Sequence, residues 1–371
     1  MNLEMMQKEA EKIIEDLSGI PAPSHFETER AAYCEKFFRE NGFQVHTDKA
    51  LNVIAALNVK EDNPLVIVMA HTDTVFPDRT PMPFRRENGF FYAPGVCDDT
   101  ANLAVTMVCA KEFKNSCTLK GEEGILFVAN SCEEGLGNLK GCRELIATYG
   151  KRVRELVSLD SASMNQMVTL AVGSHRYKVS CKTEGGHSFG AFGNRNAIQQ
   201  LAALINALYT VKVPQNGNSR TTYNVGTISG GTSVNTIAQN AEMLFEYRSD
   251  DKECLGKMQE IFTKMVEAFR ATGIELEVEV LGERPCSGII DETAFADLKA
   301  RAAAALKESL GLDMEERSGS TDCNIPLSLG IPSVCFGVCR GGKCHTREEF
   351  VEIASLSDGC KFLMNFLKRS Y

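Results

Sequence analysis

Short apolar runs alternate with helix-period segments through the first half of the chain. Residues 64–70 (PLVIVMA), 125–130 (ILFVAN) and 156–159 (LVSL) are apolar, β-branched stretches, the pattern of strands covered on both faces. Each runs up to a histidine or an acid: His71, then Cys132-Glu133-Glu134, then Asp160. Alternation of this kind predicts an α/β unit with a mostly parallel or mixed sheet, whose chemistry gathers beyond the carboxyl ends of the strands. From His175 the period changes to two. Tyr177, Val179 and Cys181 alternate with Lys178, Ser180 and Lys182, a strand with one wet face. A helix with Ile198, Leu201, Ile205 and Leu208 on one side follows, then strands near 221–228 and 241–248, a helix carrying Met258, Ile261, Phe262, Met265 and Phe269, and an alternating strand from Ile274 to Val280. That β-α-β-β-α-β order is the ferredoxin-like split βαβ, and it predicts an inserted α+β domain over 175–283. Residues 1–174 and 284–371 then form one discontinuous α/β domain, closed by an Ala-rich helix at 292–310, a buried strand at 333–338 and a helix at 356–368. There is no internal repeat.

Composition narrows the function classes. A chain of 371 residues is long enough for a large domain carrying a smaller one. With 40 Lys and Arg against 49 Asp and Glu the net charge is −9, a field that repels polyanions and argues against nucleic acid as a partner. Fourteen cysteines are scattered, and residues 1–17 lack a signal-peptide core, so reduced thiols in a cytoplasm are expected. The apolar, uncharged stretch 324–339 is broken by Pro326, Gly330, Pro332 and Gly337 and is too short to cross a bilayer.

The candidate chemistry sits at the strand ends. In His71-Thr72-Asp73 a carboxylate two positions on can reach the same side as the imidazole, as metal-binding histidines require. Gly95-Val96-Cys97-Asp98-Asp99 turns paired aspartates into the expected start of a helix, where capping accounts for one Asp better than two. Glu133 and Glu134 form a carboxylate pair that can divide labour between metal ligation and proton transfer. Asp160 and His345, the latter in Cys344-His345-Thr346, complete a donor set suited to Zn²⁺, Mn²⁺ or Co²⁺ in a two-metal hydrolase.

The order of these segments resembles the dinuclear zinc peptidase family that contains aminoacylase, carboxypeptidase G, succinyl-diaminopimelate desuccinylase and peptidase T, over nearly the whole chain. The resemblance implies a zinc-exopeptidase-like α/β catalytic domain with an inserted ferredoxin-like lid or dimerisation domain. It implies two divalent metals per chain: His71 and Asp160 on one, Glu134 and His345 on the other, and Asp98 bridging. It makes Asp73 the partner that orients His71, and Glu133 the general base for a water bridging the metals. Asp99 falls at a position that varies in the family. Gly185-Gly186-His187-Ser188 is similar to the lid segment whose histidine donates to the oxyanion. Gly230-Gly231-Thr232-Ser233-Val234-Asn235 and Glu246-Tyr247-Arg248-Ser249 look like segments whose Asn235 and Arg248 hold substrate, and Ser318-Gly319-Ser320-Thr321-Asp322 resembles a substrate loop. The implied activity is amide hydrolysis on small peptides, with N-acyl amino acid deacylation as the alternative. The lid segments look like peptidase T-like members, while His71-Thr72-Asp73-Thr74-Val75-Phe76-Pro77 looks as much like carboxypeptidase-type members. An apolar helix face on the insert is compatible with a homodimer.

Two further readings are open to the residues. Gly135-x-Gly137-x-x-x-Gly141 misses the dinucleotide fingerprint by one position, and Glu133 and Glu134 would repel a pyrophosphate. A non-catalytic metal-binding protein on the same fold would need a missing site residue, and none is missing. Cys97, Cys132 and Cys344 each precede a candidate site residue. The series Cys335, Cys339 and Cys344 lacks a fourth thiol to close a tetrahedron, so a sulfur metal site is not expected there.

Overall fold

The apolar runs of the first half pair as the middle of an eight-stranded mixed sheet. Its strand order is Gln44–Thr47, Val53–Leu57, Gly124–Asn130, Leu65–His71, Val153–Ser158, Ser333–Phe336, Gln166–Ala171 and Glu315–Gly319. Leu65–His71 runs parallel to both Gly124–Asn130 and Val153–Ser158, and Ser333–Phe336 runs parallel to the latter. Period-two geometry explains the continuous apolar sequence. Leu65, Ile67 and Met69 enter one core cluster while Val66, Val68 and Ala70 enter the other, so every side chain of the strand is buried. His71 is in register with Asn130, which ends both strands at one level and brings residue 71 beside the 131–134 segment.

The structure is a computed structural model that describes residues 2–117, 119 and 121–371. The chain divides into two units, Met1–Ala171 with Gly288–Tyr371, and Val172–Ser287. In the first, helices Leu3–Ser18, Asn102–Ser116, Glu292–Leu310 and Ile353–Ser370 supply much of the apolar packing over the sheet. A small antiparallel sheet of Arg85–Glu87, Phe90–Tyr92, Phe350–Glu352 and Gly341–Gly342 lies in the same unit. One sequence expectation is corrected: Asp98 and Asp99 do not open a helix. Gly95 enters the left-handed region (φ 75°) and starts an irregular turn over Val96–Ala101, within which the Asp98–Asp99 peptide is cis. Regular helix begins only at Asn102.

The second unit has the strands Gly173–Lys182, Thr221–Gly230, Asn240–Ser249 and Glu275–Arg284, with helices Ala197–Leu208 and Lys252–Ala271 between them. In chain order the strands lie 2-3-1-4, all neighbours antiparallel, which is the ferredoxin-like arrangement. Tyr177, Val179 and Cys181 pack with Leu201, Leu204, Met258 and Phe262 from the two helices. The opposite sheet face carries Lys178 paired to Glu242 at 2.7 Å.

Candidate metal centre

The three buried strands deliver His71, the 131–134 turn and Asp160 to one end of the sheet, and the loop before Phe350–Glu352 delivers His345. Asp98 stands between the two histidines. Its Oδ1 lies 3.0 Å from His71 Nε2 and its Oδ2 3.1 Å from His345 Nε2. His345 also faces Glu134 Oε1 at 3.4 Å, and His71 Nε2 faces Asp160 Oδ1 at 4.0 Å. Donor atoms of His71, Asp98 and Glu134 lie within 4.8 Å of one another, as do those of His71, Asp99 and Asp160. Imidazole and carboxylate donors this close, largely withdrawn from water, are the set a borderline divalent cation takes.

A layer of buried groups fixes these side chains. Asp73 Oδ1 accepts the Glu133 N–H at 3.0 Å, and Oδ2 accepts the Glu134 N–H at 3.0 Å and the Ser24 hydroxyl at 2.7 Å. Toward His71 Nδ1 its carbonyl oxygen (3.1 Å) is closer than its carboxylate (3.4 Å). Asp73 therefore ties the imidazole to the turn bearing Glu133 and Glu134. Asp99 accepts the His71 main-chain N–H and an Asn102 amide N–H, so both its oxygens are engaged although it lies near the donor cluster.

Sequence reasoning missed four residues that act through the main chain. Glu349 accepts the N–H groups of Gly95, Cys97 and Asp98 at 3.1, 2.8 and 2.8 Å. Asn102 accepts the Val338 N–H. Glu27 accepts both the N–H and the thiol of Cys132, a non-glycine residue at φ 57° that sets the corner before Glu133. Arg30, buried, donates to the carbonyls of Ile20 and Thr72 and to the Thr100 hydroxyl. A run such as Arg347-Glu348-Glu349 carries no signal for this in one dimension, because the partners are peptide groups brought up by tertiary folding.

The electrostatics follow from burial and proximity. Burial alone would raise the Asp98 carboxyl, but hydrogen bonds from His345 and His71 outweigh it and hold the group low. Hydrogen bonds to Asp98 and Glu134 push the His345 imidazole up to about 11. Burial, reinforced by neighbouring acids, raises Glu134 to about 7 and Asp160 well above its ordinary range. Burial likewise raises Glu349 to about 7. An arrangement that penalises its own anions in this way favours positive charge among them.

The remaining candidate residues belong to the second unit and to the 318–322 loop of the first. His187 and Asn235 belong to the second unit, where Gly186–His187 pairs with Thr236–Ile237 and the Ser188 N–H donates to the Asn235 carbonyl. His187 Nδ1 accepts the N–H groups of Phe189 and Gly190 at 3.2 and 3.3 Å. Its neutral form thus carries the proton on Nε2, leaving the exposed ring a directed donor. The Asn235 side-chain oxygen accepts the Ser233 hydroxyl. Arg248 places Nε and Nη2 on the two oxygens of Glu246, both at 3.0 Å, so its fork already holds a carboxylate. In the 318–322 loop Thr321 is buried, and its hydroxyl accepts the Cys323 N–H while Asn324 accepts its own N–H, a local turn contact. Ser320 is half-buried.

The family model described as Peptidase family M20/M25/M40 matches residues 67–369. A putative succinyl-diaminopimelate desuccinylase of Mycobacterium tuberculosis is 25% identical over 369 residues, covering 95% of this chain and 96% of that one. A tripeptidase structure from Staphylococcus aureus superposes with a TM-score of 0.78 at 22% identity, covering 98% of each chain. A dinuclear metal-binding peptidase from Bacillus subtilis gives a TM-score of 0.65 at 18% identity, covering 99% of this chain and 98% of that one.

Proposed function

The chain belongs to peptidase family M20/M25/M40 and is a metal-dependent amide hydrolase, and on that footing we propose that it is an exopeptidase acting on short peptides through a dinuclear centre. The observation that carries the reading is Asp98, whose two oxygens each meet a different histidine. His71 and Asp160 would hold one divalent ion and Glu134 and His345 a second, with Asp98 shared; zinc fits this donor set, with cobalt and manganese as alternatives. Bound there, the ions supply Lewis acidity for the amide carbonyl and the attacking water.

Glu133 leaves the same turn as Glu134 with its main chain pinned by Asp73, and it is the general base in this reading. It takes a proton from the attacking water and returns it to the departing amine nitrogen. His187 donates its Nε2–H to the carbonyl oxygen as charge develops, a contact worth about 2.7–4 kcal/mol of barrier where such donors have been removed. Arg248 exchanges Glu246 for a substrate carboxylate, and Asn235 holds substrate main chain. Ser320 and Thr321, on the 318–322 loop of the first unit, contact substrate in this reading. The insert acts as the lid and as the surface for a homodimer. All fourteen cysteines are free, which supports a reducing, cytoplasmic setting. Among the described residues no helix is long and apolar enough to cross a membrane.

The alternative is N-acyl amino acid deacylation on the same residues, favoured by the desuccinylase relative. The test is metal content per chain together with amine release from a panel of dipeptides, tripeptides and N-acyl amino acids. Two ions per chain with peptide cleavage support the first reading. Turnover confined to acyl substrates transfers it to the second, and failure to bind metal or cleave any panel member removes both.

A further inference from the structure

Past the end of Gly124–Asn130 the main chain leaves the sheet, and its next four N–H groups all go to side-chain oxygens. Ser131 donates to Asn52 Oδ1 at 3.1 Å and Cys132 to Glu27 Oε1 at 3.0 Å. Glu133 and Glu134 donate to the two oxygens of Asp73, each at 3.0 Å. Side chains from three separate segments therefore hold the turn that carries Glu133. The corner of that turn is Cys132, at φ 57°, in the left-handed region that a side chain disfavours and glycine takes freely. The Cys132 thiol donates to the same Glu27 oxygen at 3.1 Å, so one acceptor grips both ends of the residue. On the other side the corner rests on Gly137, where a Cβ would stand 2.6 Å from the Cys132 carbonyl oxygen.

Two observations separate Glu27 from an ordinary acid at a helix start. It stands immediately before Thr28–Glu40, where such a side chain would cap the first turn, yet it makes no cap bond. It is also fully buried, and among the described residues its Oε2 has no hydrogen-bond partner. Burying an acid with half its accepting capacity idle is unfavourable, so packing alone does not account for it. We infer that Glu27 is a positioning residue for amide hydrolysis: by clamping Cys132 in the left-handed region it fixes the direction in which Glu133 leaves the turn. The inference rests on the reading of Glu133 as the general base. A base must stand within hydrogen-bond reach of the proton it takes, and a misplacement of about 1 Å can cost about a hundredfold in rate. Releasing the corner therefore slows turnover. Metal and substrate binding change little, because Glu134 and His71 keep their own ties to Asp73.

The test uses the full chain loaded with Zn²⁺ and the panel peptide it cleaves fastest. Glu27→Met removes the acceptor at similar size, and kcat should fall about 10–100-fold with KM and metal content per chain close to those of the wild type. Glu27→Gln can set its oxygen on Cys132 and its NH₂ where Oε2 has no partner, so it should keep most of the wild-type kcat. Cys132→Gly on the Glu27→Met background supplies a residue that takes φ 57° unaided, and should regain most of the loss. Amide hydrogen exchange over 131–134 should quicken in Glu27→Met and not in Glu27→Gln, a readout independent of activity. Wild-type kcat in Glu27→Met overturns the inference, as does a double variant as slow as the single one, since glycine would not repair a burial role. If Glu27→Met does not fold, Cys132→Ala and Cys132→Gly probe the same corner: a loss with alanine alone supports the clamp, and equal rates overturn it. Glu133→Gln measured alongside keeps the two readings apart. Wild-type kcat in that variant overturns the base, whereas a loss there with none in Glu27→Met overturns the clamp alone.

Discussion

Glu349 holds Asp98 by its peptide rather than by its side chain. One carboxylate oxygen of Glu349 takes the N–H groups of Cys97 and Asp98, and the other takes that of Gly95. The residue between the two histidines is therefore aimed by an acid that touches neither of them through these bonds.

Glu349→Gln tests that support. An amide offers one acceptor oxygen and turns an NH₂ toward N–H groups on its other side, so at least one of the three bonds is lost. Groups that orient metal ligands typically change affinity about 10–100-fold when removed. The expected outcome is a loss of that size in the metal concentration for half-maximal activity, with turnover largely regained at saturating metal. Unchanged metal dependence would mean that Asp98 is held by its contacts with His71 and His345 alone.

Asp73→Asn should damage both fold and activity. The carboxylate accepts from Glu133, Glu134 and Ser24, and the amide must present a donor to some of these donors. Each buried group left unpaired costs about 1–3 kcal/mol. Chemical denaturation should show destabilisation in that range, and kcat/KM should fall at least about a hundredfold as Glu133 loses its pinned main chain.

Glu133→Gln separates proton transfer from metal binding. The side chain keeps its shape and cannot take a proton, so kcat should drop by about 10²–10⁴ while the metal content per chain stays that of the wild type. A parallel loss of metal would move Glu133 from base to ligand.

His175 gives the second unit an acid sensitivity. Burial holds this imidazole below its ordinary value of 6.5, with its Nδ1 2.8 Å from the Tyr247 hydroxyl. Between the folded pKa and 6.5 the unfolded chain binds more protons than the folded one, so stability rises with pH across that window and is lost on acidification through it. Thermal melting followed below and above pH 6.5 should show this slope, flattened in His175→Gln. An equal slope in the variant would assign the pH dependence to other groups.

Glu155→Ala should be among the more destabilising substitutions. Arg301 places both guanidinium nitrogens on Glu155 at 3.1 and 2.6 Å, Tyr371 donates its hydroxyl to the same carboxylate, and the Arg301 side chain is only 17% exposed. Removing one partner of a buried pair costs about 3–5 kcal/mol where the other charge is left alone; Arg301 keeps Asp297 at 2.8 Å, so a loss at or below the low end of that range is expected. Urea unfolding should read that loss, with Arg301→Met on the Glu155→Ala background recovering part of it.

What could be read in one dimension followed from periodicity. The runs ending at His71, Asn130 and Ser158 are continuous because alternate residues enter two different cores, and that pattern needs no partner to be visible. The 292–310 helix was equally plain, matching Glu292–Leu310. Strands such as Gln166–Ala171 and Glu315–Gly319 were not visible: much of their length is exposed or half-buried, and their pairing is set by distant neighbours. The Asp98–Asp99 segment read as a helix start because acids there are good caps, whereas Gly95 in the left-handed region diverts the chain first. Glu349, Asn102, Glu27 and Arg30 stayed hidden because main-chain groups, which every residue carries, are prominent among their partners.

The groups around Asp98 come from both sides of the inserted unit: His71, Glu134 and Asp160 precede it in the chain, while His345 and Glu349 follow it. During synthesis the ribosome must complete the whole insert before it makes the second histidine. The insert draws its sheet from contiguous chain and can form first, since domains generally fold as units in the order they emerge. Hydrolytic competence is thus among the last properties the nascent polypeptide acquires, and a chain stalled within the insert carries half a centre.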